Sequence, residues 1–303
     1  MTVRCRRFVF IWCVKGCLPK RRLENLGGDN WMPWTKAHLR WLKDTGERLV
    51  SSDNKPIKVW EFCYQNDPAV LSAWAKHLRN HYCLDQEIDA LRSGTGFSRK
   101  EYLLNLKFPH ESKAPGPSIR AGDFAEIFVA DYLQYVLGYW VPRTRYGHKP
   151  IKNESTKGCD TLAFKFIKDG SESPDDILAL FEAKAQLSGN EPKPRLQEAI
   201  NDSMKDPIRR AESLNALKQQ LYNKQLYPDV QRVERFQNLE DRPYTERYGA
   251  AALFDSTVCC AKTLQKTSTA GHPHSNVLDL VVIRGKDLMA LVHDLFRRAA
   301  DEA

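Results

Sequence analysis

The chain has 303 residues, 42% of them hydrophobic and 28% charged, with a formal net charge of +8 and 8 cysteines. That length supports a sizeable core, and the absence of repeats and long low-complexity tracts excludes solenoid and disordered classes. Excess positive charge suits a polyanionic partner, because Lys and Arg near phosphates release condensed counterions.

The charge is unevenly spread. Residues 1–31 hold Arg4, Arg6, Arg7, Lys15, Lys20, Arg21 and Arg22 against Glu24 and Asp29, which is five of the eight net charges. The apolar run from Phe8 ends at Lys15, too short for a secretory signal or a membrane span. Residues 1–31 therefore read as a basic extension, with Met32, just after Gly27-Gly28-Asp29-Asn30, as an alternative start.

Residues 32–117 read as a helical N-terminal region. Asp67-Pro68 is a helix start signal, followed by apolar residues at helical spacing through Leu78. Six of the seven tryptophans precede residue 75. They fill a core or form a stacking and docking surface; the sequence does not separate the two. The Pro- and Gly-rich stretch 109–117 reads as a connector and sets a domain boundary before residues 118–303.

The second region opens with a helix in which Phe124, Ile127, Phe128, Tyr132 and Tyr135 recur at helical spacing and Gly138 supplies the stop. Glu126 falls inside it, where an unpaired carboxylate is costly to bury. Strands are expected at 139–145, 159–167 and 177–185, then a long polar helical stretch over 195–238, broken at Tyr227-Pro228. Two more strands at 248–254 and 277–283 and a helix over 286–300 complete an α/β chain.

The chemistry concentrates in two triplets. Gly158-Cys159-Asp160 is followed, 22 positions after the Asp, by Glu182-Ala183-Lys184. Two carboxylates on neighbouring strands can hold a divalent cation through oxygen. Lys184, two residues beyond Glu182, shares its face of the strand. Between residues 139 and 168, Arg143, Arg145, Lys149, Lys152, Lys157, Lys165 and Lys168 outnumber Glu154 and Asp160. The first five are expected to hold nucleic-acid phosphates without reading sequence. The alternative for each motif is structural: a strand-end ion pair for Glu182 and Lys184, a turn cap for Asp160, a solvated face for the basic residues.

The cysteines form no CxxC or His-Cys ligand pattern, so they read as reduced thiols of a cytoplasmic protein. His148 reads as a surface histidine, while His272 and His274 have ligand spacing without a completing set.

The order of elements with these triplets resembles the PD-(D/E)XK nuclease superfamily over residues 119–285. That resemblance implies a restriction-endonuclease-like core, a central mixed sheet flanked by helices. It also implies Asp160 and Glu182 as ligands of Mg²⁺ or Mn²⁺, Lys184 beside the scissile phosphate, and Glu126 supporting the metal from the helix. The superfamily's Pro is absent here, replaced by the Gly-x-Asp variant.

Ala121-Gly122-Asp123-Phe124-Ala125-Glu126, Lys157-Gly158-Cys159-Asp160 and Phe181-Glu182-Ala183-Lys184 together resemble the DUF1837 family, the nuclease subunit (HamA) of the Hachiman anti-phage system. This resemblance implies a metal-dependent DNA nuclease restrained by a helicase partner. The alternatives are a stand-alone restriction or repair nuclease, and a non-catalytic subunit that binds nucleic acid or a partner.

Overall fold

A computed structural model describes residues 33–168 and 170–303. The basic extension, with Trp12, Trp31 and three of the cysteines, lies outside the described residues.

Six strands form one mixed sheet: β1 (Leu42–Val50), β2 (Pro56–Phe62), β3 (Thr161–Lys165), β4 (Ile177–Gln186), β5 (Thr245–Asp255) and β6 (Leu278–Gly285). Their spatial order is β1-β2-β6-β5-β4-β3. The four inner strands run parallel, and the edge strands β1 and β3 pair antiparallel. Parallel strands need cover on both faces, which is why β4, β5 and β6 read as nearly unbroken apolar runs.

The helices are α1 (Pro68–Tyr82), α2 (Ile88–Arg92), α3 (Arg99–Tyr102), α4 (Gly116–Asp131), α5 (Arg195–Ser203), α6 (Asp206–Asn223), α7 (Tyr227–Glu234), α8 (Ala261–Gln265) and α9 (Leu288–Asp301). Residues from α1, α4 and α9 share one core with Ala179, Phe181 and Ala183 of β4. Residues from α5, α6 and α7 share the second with Leu178 and Leu180. Alternation along β4 thus sends odd positions toward α4 and even ones toward α5 and α6.

Local signals account for the helix starts. The Asp67 side chain accepts from the Val70 amide with Pro68 at the first turn. At Gly116 a Cβ would stand 2.1 Å from the His110 carbonyl oxygen, so only glycine lets the entry to α4 pass.

Three expectations need correction. Residues 32–117 are not a separate helical region, because β1 and β2 lie within them and β2 pairs with β6; Pro33–Ala303 forms one compact unit. The strand signal was weak: only Leu42 of β1 is buried, and β2 divides Ile57 and Val59 from Trp60 and Phe62 over a few residues. The tryptophans there serve the core, with Trp41 and Trp74 buried and Trp60 packed on Tyr132.

Residues 139–145 are not a strand. Only Trp140 bridges to Phe164, and Pro142 offers no amide for a ladder. The stretch 195–238 is three helices rather than one interrupted at Tyr227-Pro228, because an earlier break falls at Asp206-Pro207. Among the described residues no helix is long and apolar enough to cross a membrane.

Candidate active site

Gly158, at φ +94°, turns the chain through a conformation that other residues adopt only under strain. The turn delivers Asp160 to the start of β3. Thr161 pairs with Phe181, so one step back along the antiparallel register Asp160 stands opposite Glu182. The Ala183 amide donates to Asp160 Oδ2 at 3.0 Å, tying the two triplets together.

Glu182 and Lys184 occupy even positions of β4, on the face covered by α5 and α6. Glu182 is 2% exposed, and its Oε1 has no hydrogen-bond partner. The nearest cations stand off, Lys184 Nζ at 3.8 Å and Arg209 Nη1 at 3.9 Å. Burial, then the charges of Asp160 and Asp206, push its carboxyl up to about 10.

Burial works against the charge on Lys184, but its hydrogen bond to Asp202 and the nearby Asp160 and Glu182 outweigh burial and raise its pKa. It stays an ammonium, suited to a phosphate oxygen and not to proton abstraction. Its Nζ lies 2.8 Å from Asp202 Oδ2 at the end of α5.

Glu126 meets the group indirectly. It projects from α4, lines the same cavity as Asp160 and reaches it through Arg145. The guanidinium donates from Nε to Glu126 Oε2 and from Nη2 to Asp160 Oδ1, each at 2.8 Å. Tyr146 also donates to Glu126. Burial, then Asp160, raise Glu126 to about 8 despite Arg145. The structure thus brings Asp160, Glu182 and Lys184 together directly and joins Glu126 to Asp160 through Arg145.

The expected phosphate-binding residues are mostly committed elsewhere. Three acids of α4 meet three cations of the following loop in reverse order: Asp123 with Lys149 at 2.6 Å, Glu126 with Arg145 at 2.8 Å, Asp131 with Arg143 at 2.6 Å. Arg143 and Lys149 are buried, and Arg143 also contacts His77 and His81. Such pairs hold only because each charge is matched, and neither cation is open to DNA. Lys152 donates to the Leu104 carbonyl, and Lys157 alone of the five is exposed.

Partly exposed positive charge near Glu182 comes instead from Lys184, Lys205 and Arg209. A cavity of about 620 Å³ opens beside Asp160, lined by Arg145, Lys157 and Ser213 among others.

His148 is exposed, as expected. His272 is buried with its ring against the Ser203 hydroxyl, and His274 stacks on Tyr248, so both are packing residues. Cys63, Cys83, Cys159, Cys259 and Cys260 are free thiols.

Among the described residues, no three His, Cys, Asp or Glu side chains are arranged to hold a metal ion. The donor set nevertheless fits one. Asp160 and Glu182 are a pair of hard oxygen donors of the type Mg²⁺ and Mn²⁺ take, and a buried oxygen of Glu182 lacks a partner.

Sequence reasoning missed Asp202, Asp206 and Arg209. Asp206-Pro207 carries the same helix-start signal as Asp67-Pro68 and could have placed a helix terminus here, though not beside Glu182.

A family model described as HamA matches residues 36–299. No curated protein matches the chain.

Proposed function

Because the chain belongs to the HamA family, a component of Hachiman anti-phage defence, we propose that it is a metal-dependent DNA nuclease on a PD-(D/E)XK, restriction-endonuclease-like core. One observation carries the reading. Asp160 and Glu182 stand opposite each other on β3 and β4, with Lys184 on the same face and a buried Glu182 oxygen unpartnered. That is an oxygen-ligand pair beside a permanent cation, the donor chemistry phosphodiester hydrolysis requires.

A bound Mg²⁺ or Mn²⁺ supplies Lewis-acid neutralisation of phosphoryl oxygens and acidifies water. The chain's residues do the rest. Asp160 and Glu182 would hold the cation, and the Ala183 amide fixes Asp160. Lys184 remains charged and offers its ammonium to the phosphate as negative charge builds. Lys205 and Arg209 flank the approach from the α5–α6 corner. Restraint by a helicase subunit is part of the proposal and rests on family membership alone.

A second reading, the same fold used only for binding, is favoured by Arg145, whose guanidinium already neutralises Glu126 and Asp160. Plasmid cleavage in Mg²⁺ and Mn²⁺, with and without the helicase partner, separates the two. Wild type should cut and the Glu182→Ala, Lys184→Ala double variant should not. Equal cutting by both would leave the binding reading standing.

A further inference from the structure

Ile208 is 84% exposed, the most exposed large apolar side chain among the described residues. Single exposed apolar residues are ordinary on protein surfaces; what sets Ile208 apart is its place. The core-facing side chains of α6 include Leu214, Leu217 and Leu221. At about 3.6 residues per turn, Ile208 falls on the far side of the helix from them, where Ala211, Glu212 and Asn215 are also exposed. Core packing does not hold it there, and a β-branched residue is a poorer helix former than Ala.

Its neighbours are the cations of the candidate site. The Lys205 carbonyl accepts the Ile208 and Arg209 amides at 3.2 and 3.1 Å, so the three residues share one turn. Asp202 joins that turn to β4: its Oδ1 accepts from Lys205 Nζ at 2.7 Å, and its Oδ2 lies 2.8 Å from Lys184 Nζ. Arg209 Nη1 lies 3.9 Å from Glu182. Ile208 is therefore an apolar side chain in the midst of the positive charge that borders the carboxylate pair.

That pair is recessed, with Glu182 buried and only a small part of Asp160 open. A phosphate of an undistorted duplex lies on an even contour between its neighbours, so the strand must bend or unstack before one can approach these oxygens. Proteins that kink DNA do so by pressing Phe, Leu, Ile, Met or Pro between base steps, while Lys and Arg hold the phosphates.

We propose that Ile208 is a wedge that enters the stacked bases of a DNA duplex beside the scissile phosphate, with Lys205 and Arg209 on the flanking phosphates. This rests on the nuclease reading above and adds to it the form of the substrate, a duplex unstacked at the step where it is cut.

The test uses the full chain carrying Glu182→Gln in Mg²⁺, so that DNA stays uncut, alone and combined with Ile208→Ala or Ile208→Leu. Anisotropy reads binding to an intact duplex, to a duplex with a mismatched step and to a single strand. A fluorescent adenine analogue in the intact duplex, whose emission rises on unstacking, reads insertion. Ile208→Ala should weaken binding to the intact duplex by about 10-fold and abolish the rise in emission. It should bind the mismatched duplex and the single strand as its parent does, because their bases are already loosened. Ile208→Leu should restore both signals, and Ile208→Ala should melt with its parent, since the side chain is exposed.

Equal affinity and emission in Ile208→Ala and its parent would overturn the wedge and leave the nuclease reading intact. So would equal losses on all three DNAs, which mark a general contact, or a parent that binds the duplex with no rise in emission. Wild type that neither binds nor cuts any of these DNAs in Mg²⁺ or Mn²⁺ would overturn the nuclease reading and the wedge with it.

Discussion

Glu182→Gln is expected to remove metal-dependent DNA cleavage and, in the metal-stripped protein, to raise stability. The first effect should be about 10²–10³-fold, the loss seen when one preorganised electrostatic group is deleted. The second follows from burial. The Glu182 carboxyl is held up to about 10 in the fold, against an ordinary value of 4.5, chiefly by desolvation and then by Asp160 and Asp206.

At neutral pH folding must therefore add a proton to a side chain that is ionised in the unfolded chain. A raised pKa contributes stability that is complete below 4.5 and is lost as pH climbs through the window to about 10. Gln has the same shape and needs no proton. Its advantage should be absent near pH 4 and grow with pH, reaching at most about 5 kcal/mol near pH 8. Melting in chelator at pH 5, 7 and 8.5 checks the sign. An advantage for Gln that is flat or shrinks as pH rises would mean that Glu182 is paired or solvated in solution.

Arg145 should behave in the opposite way. Its side chain is 18% exposed and bonds Glu126, Asp160 and the Cys159 carbonyl. Burial opposes its charge, but Glu126 and Asp160 outweigh burial and hold it protonated. Removing one partner of a fully buried pair costs about 3–5 kcal/mol, so a partly exposed bridge should cost about 2–4 kcal/mol in Arg145→Gln. The deficit in chelator should shrink when Mg²⁺ or Mn²⁺ is added, because a cation held by Asp160 replaces some of the lost positive charge. Urea denaturation with and without metal reads both numbers. A full deficit that metal leaves untouched would separate Asp160 from cation binding and favour the binding-only reading.

These two residues also mark how far the sequence could be read. Glu182 and Lys184 were legible because a strand has a two-residue repeat: an apolar run ending in Glu-Ala-Lys puts both groups on one face whatever the rest of the chain does. Arg145 was visible only as one of seven positive charges between residues 139 and 168. Summed along the chain those charges resembled a phosphate-binding surface. Folded, Arg143, Arg145 and Lys149 turn back onto Asp131, Glu126 and Asp123 of α4, and the charge is internally neutralised. Linear counting cannot see this, because the cancelling acids lie 12 to 26 positions away.

By itself, then, the sequence determined the α/β class, the strands β3 to β6 and the Asp160, Glu182 and Lys184 triplets, because hydrophobic periodicity and strand alternation are local. Only the tertiary structure decided that β1 and β2 join the same sheet, that Arg145 bridges Glu126 and Asp160, and that Asp206 is buried near Glu182. The physical reason is the same in each case. Charge pairing and desolvation depend on distance through space and on what excludes water, and α6 reaches Glu182 only after the sheet and the α5–α6 corner have formed.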